Sequence, residues 1–379
     1  MSEVPERGSP ETTMMVSLGV GVTIGSDRLF VILIALTKTM DKRVKSPKAL
    51  LKSPIYIIQL VAGLLLYLGI LRLAGVDLET LNFLQSLDWA SLFFSFLLTL
   101  LLTGFISYRW ALLANGLAGY RALSQLDSYF YVLAGRSIGF VLPKDLSDMV
   151  VRTLFLARRN KVPLHVSTSS LILDKMLDLI VSAVFVGPAL FFMLGQATLS
   201  EALTLLLILG VIVFLFLLFG SPFVLRVIFF FYNLASGFVL RLLRREVHPV
   251  QPVSLPSKTF AIGFLASVAK QLCIGLRAFF LGQAVGIFLS PLALLFGASI
   301  AQMSYVISVT PDGLGVYDAA WYGVLSLGGV SDSAIGSFLI LQRVFIILVI
   351  GALTLLMFGL VNLRRGNLTE GESAETTHK

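Results

Sequence analysis

Between Pro54 and Leu360 the chain is a succession of long apolar runs whose basic residues gather at the run ends. This pattern narrows the available folds more than any other feature does. A bilayer core holds no water, so every backbone N–H and C=O must be paired within the structure, which leaves helices and closed barrels. The runs are continuous, and several approach the roughly 20 residues a helix needs to cross a core of about 30 Å. They do not show the alternating segments of about ten residues that a barrel requires. With 57% hydrophobic and 13% charged residues, the chain exceeds what a soluble core needs. The expected fold is an all-α polytopic membrane protein.

The formal charge is +8 at pH 7, but it is concentrated at segment ends, the positive-inside pattern rather than a nucleic-acid footprint. The lone Cys273 and the scattered His165, His248 and His378 suggest no disulfide, metal or haem site, so no cofactor is expected. Residues 1–53 contain one short apolar run, 29–36, too short to span and without a small-residue cleavage site. They are expected to form a disordered or interfacial leader.

The crossings follow from charge. Lys42, Arg43, Lys45, Lys48 and Lys52 place the entrance to span 54–73 in the cytoplasm, and the loop with Asp77, Glu79 and Asp88 outside. Span 90–114 returns to Arg121. The apolar stretch 128–142 is short and basic on both flanks, so 128–157 is expected to be a re-entrant hairpin bent at Pro143. Span 166–194 leads out toward Glu201, and 203–240, expected to break near Gly220, Ser221 and Pro222, comes back to Arg241, Arg244 and Arg245. Span 259–281 goes out, a second hairpin over 291–327 bends at Pro311, and 334–360 returns to Arg364 and Arg365. The sum is six full spans plus two re-entrant helical hairpins in the plasma (inner) membrane, with both termini cytoplasmic.

An internal duplication runs through this order. Arg109, Pro143 and Lys175 have counterparts in Arg277, Pro311 and Arg343 at one constant offset, since 277 − 109, 311 − 143 and 343 − 175 are equal. Val141, Leu146, Leu171, Ile172, Leu173 and Val181 recur at the same offset. Each copy, 54–194 and 203–362, reads span, span, hairpin, span, followed by a polar tail over 363–379. Three crossings per copy is an odd number, so the copies are expected to be inverted, the arrangement of alternating-access carriers.

Charges inside spans need a partner, water or a purpose, since each costs on the order of 2.5–3.5 kcal/mol on insertion scales. Asp174, Lys175 and Asp178 share a span, and Lys270 and Arg277 lie seven apart on another. Either ion pairs lock the bundle, or Arg109, Arg277 and Arg343 line a cavity suited to phosphate. Asp145, Asp148 and Arg152 make one polar helix face. Pro143 and Pro311 precede expected half-helices whose free N–H groups suit an anion. Gly313 and Gly315 allow a tight bend or close helix packing, and Tyr317 and Asp318 are candidates for selectivity.

The ordered set Ser107-Tyr108-Arg109-Trp110, Gly135-Arg136, Val141-Leu142-Pro143 with Arg152, Leu173-Asp174-Lys175, and Pro311-Asp312-Gly313-Leu314-Gly315-Val316-Tyr317-Asp318 resembles the lysylphosphatidylglycerol synthase transmembrane-domain family of flippase-like membrane proteins, over about residues 50–362. Two departures stand out: the family usually has Arg-Glu at Tyr317-Asp318 and Asp-Arg at Asp174-Lys175. Bifunctional members carry a soluble aminoacyl-transferase after the membrane part, and with Lys379 following so soon after Asn362 none is expected here. The resemblance implies movement of an anionic or zwitterionic phospholipid, or of a polyprenyl-phosphate-linked lipid, between leaflets. The alternatives are a membrane-embedded glycosyl- or phosphotransferase using Asp145, Asp148, Asp174 and Asp178, and an accessory role in lipid or glycan biosynthesis. Expected partners are membrane lipids, a second copy of the chain or a separate lipid-modifying enzyme.

Overall fold

The computed structural model describes residues 54–77, 83–142, 144–242, 255–307 and 310–376. The leader 1–53 and Pro143 lie outside the described residues. Within them the structure is helical: α1 Pro54–Leu73, α2 Trp89–Ala118, α3 Gln125–Gly139, α4 Lys144–Arg159, α5 Leu164–Met193, α6 Leu199–Leu242, α7 Ser257–Ala284, α8 Pro291–Ile307, α9 Val316–Leu327 and α10 Asp332–Thr376. No strand occurs among the described residues.

Local signals set the helix ends. Asp88 caps α2, accepting from the Ala90 N–H at 3.0 Å and the Ser91 hydroxyl at 2.6 Å, and Gly119, left-handed at φ 75°, closes it. Ser124 caps α3 by accepting from the Asp127 N–H at 3.1 Å. Ser290 does the same for α8 through Ala293, with Pro291 at the first helical position.

Five helices, or parts of them, are long and apolar enough to cross a membrane: Trp89–Ala118, Leu164–Met193, Leu199–Phe219, Ser257–Ala284 and Asp332–Val361. The expected first span is present as α1, whose described apolar part, Ile57–Leu73, is shorter. The expected break at Gly220-Ser221-Pro222 is absent, because α6 runs through Pro222 as one helix of 44 residues. A proline removes one N–H, a loss that neighbouring groups and local adjustment make good in membrane helices. Likewise the segment expected to be a polar tail after 362 continues α10 to Thr376.

The element order recurs at the spacing of the sequence repeat. Helices α2 and α7 begin at that same offset (257 − 89), as do α5 and α10 (332 − 164). The ends of α3 and α8 (307 − 139) and of α4 and α9 (327 − 159) keep it too. Packing follows suit: α2 packs on its counterpart α7, α3 packs on α10, and α8 packs on α5, the counterparts of those two exchanged. One large apolar cluster gathers around Trp110, Tyr131 and Leu173, a second around Trp321, Phe338 and Leu294, and a small third around Ala189, Ala202 and Phe296. Helix α10 joins the two large clusters, with Phe338 and Leu339 in the second and Ile350 and Leu353 in the first. Small residues permit the closest approaches. At Gly275 a Cβ would sit 2.7 Å from the Leu295 Cα, so α7 and α8 touch backbone to backbone.

Candidate functional site

A cavity of about 320 Å³ opens where the two halves meet. Each of α2–α5 and α7–α10 contributes to its wall, together with Asp312 from the bend between α8 and α9. The charged lining is Arg136, Asp148, Arg152, Asp174, Lys175, Asp178, Lys270, Arg277 and Asp312, beside Tyr305, Tyr317 and Gln302.

Most of these charges belong to two ion-pair networks. In the first, Arg109 donates from Nε to Asp174 at 2.6 Å, from Nη1 to the Ser267 hydroxyl at 2.6 Å, and also pairs with Asp178. Arg152 bridges Asp148 and Asp174, both at 2.9 Å, with its guanidinium 4.4 Å from the Trp110 ring centre. Lys175 reaches Asp148 at 3.1 Å, and Lys270 pairs with Asp178. This network ties α2, α4, α5 and α7 together and, among the described residues, carries four cations against three carboxylates, a net +1 (4 − 3).

The second network is built on Arg343. Its Nε and Nη2 grip Asp318 bidentately at 2.9 and 2.7 Å, and Nη1 donates to the Asp312 carboxylate and backbone carbonyl, both at 2.9 Å. Among the described residues one cation faces two carboxylates, a net −1 (1 − 2). Asp318 also accepts from the Gly315 N–H at 2.9 Å, capping α9 from within. Asp312 holds a left-handed backbone at φ 44° and donates its N–H to the Gly139 carbonyl at 3.1 Å, so the end of α3 meets the α8–α9 bend.

Two cavity cations stand outside both networks. Arg277 is 5% exposed, and its Nη1 is buried without a hydrogen-bond partner. Arg136 has a long 3.5 Å contact to the Thr103 hydroxyl. Neither forms an ion pair among the described residues, and the two guanidiniums repel each other.

The structure therefore divides the residues singled out in the sequence. Of the three arginines expected to share a phosphate cavity, Arg277 alone lines it. Arg109 and Arg343 are not part of the lining, because ion pairs hold the first on Asp174 and Asp178 and the second on Asp312 and Asp318. Arg136, Asp148, Arg152, Asp174, Lys175, Asp178, Lys270, Asp312 and Tyr317 line the cavity, whereas Pro311, Gly313, Gly315 and Asp318 do not. Asp145 lies in α4, with only its backbone described. Pro311 is separated from α9 by a turn, and at that helix start the Gly315 N–H donates to Asp318 and the Tyr317 N–H to the Gly313 carbonyl, so partners from the protein itself take both. Gly313 and Gly315 serve packing: at φ 65° and 83°, a Cβ would meet Tyr305 at 2.6 Å and Leu66 at 2.7 Å.

Sequence reasoning missed Tyr305, stacked on Tyr317 at 4.5 Å, and Gln302. The signal for Gln302 was present, a carboxamide within an apolar helix.

Residues 56–354 match the model of a protein family, the lysylphosphatidylglycerol synthase TM region. The chain belongs to that family. Comparison with curated proteins finds no match. Family membership and the apolar helices together make this a multi-pass membrane protein, and the matched region contains every residue that lines the cavity.

Proposed function

We propose that this member of the family moves an anionic or zwitterionic phosphate-bearing lipid between leaflets by alternating access. The observation that carries the reading is the cavity itself, lined by corresponding helices of both halves and holding uncompensated cations. Its volume of about 320 Å³ is near the lower end of the roughly 300–1,000 Å³ of small-molecule pockets. It suits a headgroup and leaves the acyl tails in the bilayer.

Alternating access is supported by the counterpart packing of α3 on α10 and α8 on α5. An approximate two-fold relation lets one set of contacts close while the other opens. Helices α3, α4, α8 and α9 have 15, 16, 17 and 12 residues, at about 1.5 Å rise too short for a core of about 30 Å. In this reading they form two re-entrant hairpins entering from opposite sides, and the Asp312–Gly139 hydrogen bond marks where they meet. Basic flanks orient both termini to the cytoplasm.

A transferase would need a carboxylate able to hold a metal or take a proton. The four in the cavity are engaged by arginine or lysine, which favours the carrier. The test is leaflet exchange of fluorescent phospholipids in proteoliposomes containing the purified chain. Exchange without chemical change is expected. A new covalent lipid product that requires a divalent metal would replace the carrier by an enzyme.

A further inference from the structure

Among the described residues the two ion-pair networks carry +1 and −1, which leaves Arg136 and Arg277 as the cavity cations outside both. A guanidinium cannot shed its proton under ordinary conditions, so Arg277, nine-tenths buried with a bare Nη1, is a fixed positive charge awaiting an anion. Arg136, on the wall of the same cavity, doubles that charge.

The carboxylates say what the site does not take. Asp174, Asp178 and Asp312 each accept from a protein cation, and Asp148 accepts from two on Oδ2. The remaining Asp148 oxygen, Oδ1, is buried against Gly135, where a Cβ would stand 2.9 Å from it. An ammonium entering the cavity would therefore find no unengaged carboxylate among the described lining residues and would face two repelling guanidiniums. Paired guanidinium forks match phosphate oxygens. A phosphate monoester, close to doubly charged, neutralises both, and a diester neutralises half.

We propose that Arg136 and Arg277 form a phosphate-binding pair, and that the cavity takes headgroups with an anionic phosphate and no amine, discriminating against aminated, zwitterionic ones. This rests on the reading of the cavity as a lipid headgroup site. It also sets this chain apart from the lysyl headgroup in the family's description, which brings ammonium groups.

The test is binding of short-chain lipids to the full chain in detergent, followed by native mass spectrometry and thermal shift. The lipids are phosphatidate, phosphatidylglycerol, phosphatidylethanolamine and phosphatidylcholine, with glycerol 3-phosphate as the soluble arm. Phosphatidate is expected to bind tightest and phosphatidylethanolamine at least tenfold more weakly. Arg277→Gln is expected to erase most of that ratio without loss of fold, since it removes an uncompensated buried charge. Arg136→Gln, at a half-buried position, should lower the ratio too, and it serves as the second variant should Arg277→Gln melt early. Equal binding of phosphatidylethanolamine and phosphatidate to the native chain overturns the proposal, as does full selectivity in both variants. Glycerol 3-phosphate binding as tightly as phosphatidate would keep the anion pair and remove the lipid from it. Selective binding that depends on Arg277, with no exchange of any lipid in proteoliposomes, would support the pair and sink the carrier reading alone.

Discussion

Asp174→Asn removes one charge while keeping the side-chain shape, at the point where α5 holds both α2 and α4. Asp174 is 1% exposed and accepts from Arg109 at 2.6 Å and Arg152 at 2.9 Å. Breaking a buried ion pair from one side costs about 3–5 kcal/mol, because the partner charge is left buried without compensation. The loss here should stay near about 3 kcal/mol rather than double, since Arg109 retains Asp178 and Arg152 retains Asp148. At about 1.4 kcal/mol per factor of ten, the folded population relative to unfolded should fall by about two orders of magnitude. That is a large share of the roughly 5–15 kcal/mol that holds a typical domain. Asp178→Asn is the matched comparison: its side chain is 25% exposed to the cavity, where solvent reaches it and screens the loss, so it should cost clearly less. Denaturant titration of both variants in mixed micelles measures the difference. The electrostatic account fails if Asp174→Asn lies within about 1 kcal/mol of the native chain, or if Asp178→Asn is the more damaging.

Three further expectations concern packing and motion. Gly275→Ala should destabilise by about 1–3 kcal/mol through overpacking, because its Cβ would meet Leu295 at 2.5 Å; Gly104→Ala, with nothing within 4 Å, should be neutral or stabilising by up to about 1 kcal/mol, and the two melting temperatures in detergent check the contrast. Arg343→Lys keeps the charge but loses the fork on Asp318, costing about 1.5–3 kcal/mol for one charged hydrogen bond, less than Arg343→Ala, as the same titration would show. The Ser137 and Thr354 hydroxyls lie 2.7 Å apart between α3 and α10, so a Ser137→Cys, Thr354→Cys pair in a Cys273→Ala background should cross-link on oxidation and stop leaflet exchange reversibly; exchange at the native rate with the bridge closed would mean that α3 and α10 do not part during transport.

Helices and their repetition at a constant offset could be read from the chain, because lipid compels backbone pairing within each segment. The continuity of α6 through Pro222 could not, since a proline lowers the odds of a helix without forbidding one, and neighbouring structure settles the outcome. The charged residues were visible for the same reason as the spans, as costly exceptions in apolar surroundings. Their division was not visible. Arg109, Arg277 and Arg343 are the same side chain in comparable segments, and only three-dimensional packing brings Asp174 and Asp178 to the first, Asp312 and Asp318 to the last, and no carboxylate among the described residues to Arg277. Electrostatic energy depends on distance in space, and residues 65 or 69 positions apart in the chain become partners only once the helices are set side by side.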